Sequence, residues 1–280
     1  MITMSVKTNI PYHNDSSRNP YREFDFYSPN LSAEKASKLP LVCFVHGGAW
    51  RSEDKADHAP LAQKLVQSTG FPVVVPNYRL TPKNKEDGIL HHPAHAEDIL
   101  TFLNFLYSQE RSDALFDRSR IYLIGHSCSA HMLSSIILDS SHVTPSLTPA
   151  DKILAAVRGV IMSEGIYDLE MLLSRFPGYD DWFIEPAFGH LHSYADFSVS
   201  RYPPRGENDM RWFIVHSKGD TLVDTAQSET MTSHLRAISS PAYVEDSIGQ
   251  LEDEHDDVLR NEEYIRMVTR FILQGTQAKS

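Results

Sequence analysis

Apolar residues along the chain fall into two alternating patterns. Short runs rich in branched side chains occur at 40–45 (Pro-Leu-Val-Cys-Phe-Val), 71–76, 120–124, 157–162 and 211–216. Each is too short for a stable helix and reads as a buried strand. Residues 22–27 alternate strand-like, with Phe24 and Phe26 set against Glu23 and Asp25, and 241–245 is a further strand candidate. Between the runs the apolar spacing is helical. Leu61, Leu65 and Val66 mark 57–69, and Ile99, Phe102, Leu103 and Leu106 follow a helix start at 92–98. Residues 129–138 and 225–237 read as helices, and Tyr264, Met267, Val268 and Phe271 line one more. Strands alternating with helices predict an α/β protein: one unit over 1–280, with a mostly parallel central sheet covered on both faces. Two stretches break the pattern. Residues 1–20 are polar and rich in Asn and Ser, and are expected to lie loosely on the surface. Residues 167–210 are rich in aromatics, Pro and Gly without a period, and read as an insertion.

Composition narrows the partners. The chain has 280 residues, 41% hydrophobic and 22% charged, with a formal net charge of −11. That balance argues against nucleic acid or an anionic membrane as a partner. The two cysteines, Cys43 and Cys128, both fall in predicted buried elements, so no disulfide framework is expected and a reducing compartment fits. Residues 1–20 contain no apolar signal-peptide core, and no apolar run reaches the roughly 18 residues of a membrane span. A cytoplasmic protein is the expectation.

The strand at 120–124 runs into Gly125-His126-Ser127-Cys128-Ser129, and a helix follows at once. A serine held between a strand end and a helix start has its hydroxyl pushed out above the sheet, with the next backbone N–H groups aimed at the same space. This is the pattern of a nucleophile elbow, except that Ser129 stands where a glycine usually lets the helix pack closely on the strand. Earlier in the chain, the strand at 40–45 runs into His46-Gly47-Gly48-Ala49-Trp50. Adjacent glycines allow close backbone approach and leave N–H groups free to face an oxyanion. Backbone N–H groups of Gly48 and Cys128, with Gly47 or Ala49, are the candidate oxyanion donors. Trp50 is either a substrate-facing wall or a core aromatic.

A serine hydroxyl needs a base, and the base needs a carboxylate to orient it. Asp220 lies in a turn directly after the strand at 211–216, and is preferred to Asp224, which sits where the next helix needs an N-cap. His255 follows the strand candidate at 241–245 and precedes the final helix. Ser127, Asp220 and His255 therefore stand in the order required of nucleophile, acid and base in such a sheet. Cys128 is discounted as the nucleophile, its backbone N–H being better placed than its thiol. His91 and His95 stand four apart, and His126 and His131 lie nearby, but no metal-binding pattern accompanies them and no metal is expected.

With those motifs in place the chain resembles an α/β-hydrolase of the His-Gly-Gly esterase branch. More narrowly it resembles the fungal kynurenine formamidases (arylformamidases), through His46-Gly47-Gly48-Ala49-Trp50 and the His-Pro-x-His helix start at His92 to His95. The similarity runs from about residue 22 onward and is weak over 167–210. It implies a small cap formed by that insertion, and hydrolysis of N-formyl-L-kynurenine to L-kynurenine and formate in tryptophan catabolism toward NAD. No cofactor is implied, the partner is the small-molecule substrate, and a homodimer is left open. Two alternatives share the same residues: a carboxylesterase for small acyl groups, and a non-catalytic ligand-binding protein, against which the intact Ser127, Asp220 and His255 weigh.

Overall fold

The computed structural model describes residues 2–14, 17–84, 86, 88–108, 115–206, 210–240 and 243–277. Its strands are β1 (Met4–Pro11), β2 (Glu23–Pro29), β3 (Leu41–Val45), β4 (Val73–Pro76), β5 (Ile121–His126), β6 (Val157–Ser163), β7 (Arg211–His216) and β8 (Val244–Ile248). They form one sheet in the order β1-β2-β4-β3-β5-β6-β7-β8. The pairings β1–β2 and β2–β4 are antiparallel and all others parallel. Helices are α1 (Ala33–Ala36), α2 (Ala59–Thr69), α3 (Ala94–Ser108), α4 (Cys128–Ile137), α5 (Asp151–Ala156), α6 (Leu169–Arg175), α7 (Glu185–Phe188), α8 (Thr225–Ile238) and α9 (Glu262–Gln277).

Strand side chains alternate between two cores, as the pleat requires. Leu41, Cys43, Val45, Leu123 and Ile214 join the core under α3, α4 and α8, whereas Val42, Phe44, Ile124, Phe213 and Val215 join the one under α2 and α9. Burial on both faces explains why these strands read as unbroken apolar runs. The parallel register sets the ends of β5, β6, β7 and β8 side by side: His126 pairs with Ser163, Ser163 with Val215, and His216 with Ile248. The loops after these strands thus open at one edge of the sheet, where ligands bind in open α/β folds.

Two expectations need correction. The segment 1–20 is not loose throughout, because Met4–Pro11 is an edge strand paired with β2. Its residues are mostly exposed, so backbone hydrogen bonds rather than an apolar pattern hold it, and periodicity could not find it. The strand expected at 241–245 is Val244–Ile248, three residues later. Pro241 and Ala242, with which that strand was expected to begin, lie outside the described residues, as do Met1, Asp15 and Ser16 of the N-terminal stretch and 207–209 of the insertion. Among the described residues no helix is long and apolar enough to cross a membrane.

Candidate active site

Ser127 stands between β5 and α4 with φ 56° and ψ −123°. A non-glycine residue held in this region stores on the order of 1–3 kcal/mol of strain, and such strain persists only where surrounding contacts enforce it. Here they do. The Ser127 N–H donates to Ser163 O (2.9 Å), and at Gly125 a Cβ would come within 2.9 Å of Leu133 and 3.0 Å of the Ala130 nitrogen. The helix therefore packs tightly on the strand at 125, where a side chain would force Leu133 and the helix backbone to give way. At 129 the hydroxyl is put to use. Ser129 Oγ accepts from the His126 N–H (2.7 Å), and its single hydrogen is shared between Val45 O (2.7 Å) and His126 O (2.8 Å). The side chain that replaces the usual glycine ties the elbow to the end of β3.

The loop after β3 lies against the elbow. A Cβ on Gly47 would sit 2.9 Å from His126 Nδ1 and 3.1 Å from Ser127 Cβ. Gly48 has φ 88°, and a Cβ there would reach within 2.3 Å of Ser52 O, so only glycine fits. Ala49 (φ 52°) and Trp50 (φ 59°) continue the left-handed path. Hydrogen bonds lock it: Arg51 and Ser52 N–H groups donate to Gly48 O (3.0 and 2.9 Å), and the Tyr78 hydroxyl donates to Gly47 O (2.6 Å). The buried Cys128 sulfur accepts from the Trp50 N–H (3.3 Å). Burial pushes that thiol up to about 12, so it is neutral and not an attacking group. Gly48 makes no backbone N–H hydrogen bond among the described residues, and Cys128, first residue of α4, has no intrahelical acceptor for its own. Trp50 is fully buried, its ring packed among His131, Phe183 and Phe188 at 5.1–6.1 Å between centroids. In this arrangement it is a core aromatic beneath residues 183–188.

On the other side, His255 Nδ1 donates to Asp220 Oδ2 (2.7 Å), which leaves Nε2 as the acceptor. Asp220 Oδ1 takes the N–H groups of Leu222 (2.8 Å) and Val223 (2.9 Å). Burial opposes ionisation of Asp220, but hydrogen bonding from His216 and His255 and the nearby His255 ring outweigh it and hold the carboxyl well below its usual range. His126 Nε2 donates to His255 O (2.9 Å), and the two rings lie 4.7 Å apart. Burial lowers His126 to about 3, so it is a neutral strut that fixes the His255 loop over the elbow. Ser127 and His255 are each only 6% exposed, and no hydrogen bond joins Ser127 Oγ to His255. Side chains of this kind often tighten only when substrate is bound.

Asp224 precedes α8 as expected, but its carboxylate makes no cap hydrogen bond and lies 3.9 Å from Arg175. His95 bonds Thr81 (2.9 Å) and His131 donates to Phe197 O (2.7 Å), so both serve local structure. Among the described residues His46, Glu53 and His58 lie close enough together to hold an ion, as do His126, His255 and Asp256. Reading the sequence missed two residues, Glu164 and His216, which are fully buried behind Asp220. Both directly follow or end an apolar strand, and a charged group at a strand's C-terminal end was the available signal.

The sheet order, the serine elbow after β5 and the His–Asp pair after β7 and β8 define an α/β-hydrolase fold. The BD-FAE family model matches residues 24–235, and the chain belongs to that family. It is 28% identical over 234 residues to the kynurenine formamidase of Meyerozyma guilliermondii, covering 81% of this chain and 82% of that one. It is 29% identical to the kynurenine formamidase of Eremothecium gossypii, covering 79% and 88%. Among solved structures, Esterase B from Lactobacillus rhamnosis superposes with a TM-score of 0.78 over 98% of this chain and 85% of that one, at 15% identity, a likeness of fold alone.

Proposed function

We propose that this chain is a serine hydrolase that cleaves N-formyl-L-kynurenine to L-kynurenine and formate. The observation that carries the substrate is the similarity to kynurenine formamidases of two fungi over about four fifths of the chain. The site supports the chemistry. Ser127 Oγ attacks the formyl carbon while its proton passes to His255 Nε2, and Asp220 holds the imidazole in the tautomer that can accept it. The oxyanion is held by the N–H groups of Gly48 and Cys128, with Gly47 beside them. His255 returns the proton to the arylamine nitrogen, the C–N bond breaks, and a formyl-serine remains. Water, deprotonated by His255, then releases formate. No step calls for a cofactor. Residues 167–210 serve as a cap over the leaving group, and the two free, buried cysteines fit a reducing cytoplasm.

A formyl carbon carries only hydrogen, so the site needs no acyl pocket, and binding energy from the arylamine can be used to orient the reacting carbon. kcat/KM measured for formyl, acetyl and butyryl amides of one arylamine is expected to fall steeply with acyl length, with N-formylkynurenine ahead of simple p-nitrophenyl esters. A flat or rising series, indifferent to the kynurenine portion, identifies a carboxylesterase instead.

A further inference from the structure

Glu164 has no part in the chemistry above, yet it is placed with care. It follows β6 with φ 51°, a strained conformation that turns its side chain inward, and it is fully buried. Its Oε1 accepts the Ser217 N–H (2.9 Å). Its Oε2 has no hydrogen-bond donor. His216 Nε2, 3.2 Å away, carries one hydrogen, and that hydrogen already serves Val223 O (3.0 Å) and Asp220 Oδ2 (3.4 Å). The other nitrogen of His216 bonds the Ser228 hydroxyl (2.7 Å). Oxygen or nitrogen atoms of Glu164, His216 and Asp220 all lie within 4.8 Å of one another. Two buried carboxylates at this separation cannot both ionise without a counter-charge. Around Glu164 the facing groups are Asp220 and Asp253, both opposing a second negative charge, His216, and the phenols of Tyr167 and Tyr264.

We propose that Glu164 carries a proton on Oε2 and donates it as a hydrogen bond to Asp220, acting as a positioning residue that leaves a single anion behind His255. Protonation supplies the missing donor and removes the repulsion in one step. Burial first, and then Asp220, push Glu164 up to about 10, in keeping with this. The single charge matters for catalysis. Two carboxylates would over-stabilise the imidazolium and keep His255 protonated where it must act as a base. The inference rests on Asp220 being the acid of the proposed hydrolase, but its first test needs no substrate.

Glutamine at 164 keeps the length and a neutral donor, and cannot ionise. A carboxyl whose folded-state pKa is raised contributes stability that is whole below its ordinary value of 4.5 and is lost as pH rises toward about 10. The melting temperature of the full-length Glu164→Gln variant, relative to wild type, is therefore expected to climb steadily between those limits. A difference that stays flat from pH 5 to pH 9 on the order of experimental error overturns the proposal, as does failure of this variant to fold. In activity, Glu164→Gln is expected to stay within about threefold of wild type in kcat/KM with the acid limb of its pH profile unmoved, and Glu164→Leu to lower kcat about tenfold at constant KM. An acid limb displaced toward lower pH by about one unit in the Gln variant shows that Glu164 is an anion and refutes the assignment. If neither protein cleaves N-formylkynurenine but the melting difference grows with pH, the formamidase reading falls and the proton on Glu164 stands.

Discussion

The two sides of the serine are held by different physics. On the side of residues 47–52, position is set by backbone: left-handed residues, glycines with no room for a Cβ, and hydrogen bonds that end on carbonyls and one neutral thiol. On the side of Asp220 and His255, position is set by protons shared among His255, Asp220, His216 and Glu164, all nearly or wholly buried. The first side should respond to volume and be indifferent to pH. The second should respond to charge and to loss of a single hydrogen, with little change in volume.

Four substitutions break or sharpen that contrast. Ser127→Ala removes the group both sides serve, and is expected to lower kcat/KM by about 10⁴-fold or more with the fold intact. An organophosphonate should label Ser127 in the wild type, and a label on Cys128 refutes the assignment. Asp220→Asn preserves volume but alters the hydrogen bonding of His255, so a loss of about 10³-fold is expected, with a distorted pH profile. Gly48→Ala adds only a methyl, yet it meets Ser52 O at 2.3 Å, and about 10²-fold loss is expected with the pH profile unchanged in shape. A pH profile altered by Gly48→Ala and spared by Asp220→Asn would mean the two sides are not separable in this way. Asp224→Asn touches neither side. Because its carboxylate makes no cap bond, thermal unfolding should register no more than about 0.5 kcal/mol.

The same contrast explains what could be read from the chain alone. Ser127, Gly48, Asp220 and His255 were legible because each ends or follows a strand whose apolar run marks it, and chain order limits their roles. Glu164 and His216 were not. Their meeting depends on the pairing of Ser163 with Val215, a fact of sheet order that no local pattern carries. The effect of Ser129 could not be read from the chain, because periodicity weighs a side chain by size, whereas its hydroxyl finds Val45 O on a neighbouring strand. β1 was missed because an edge strand needs no apolar face.

The order of the site along the chain also bears on biosynthesis. A growing polypeptide emerges in the order Ser127, Asp220, His255, and only then α9, whose residues Tyr264 and Val268 share a core with Leu61 and Leu65 of α2. Lys64 of α2 also bonds Arg260 O (2.9 Å) and Glu262 just beyond the His255 loop. The loop that carries the base is thus anchored to a helix 196 residues earlier in the chain. A nascent or prematurely ended chain that already displays Ser127 and its loop has no seated imidazole, so the hydroxyl stays unreactive until synthesis has passed α9.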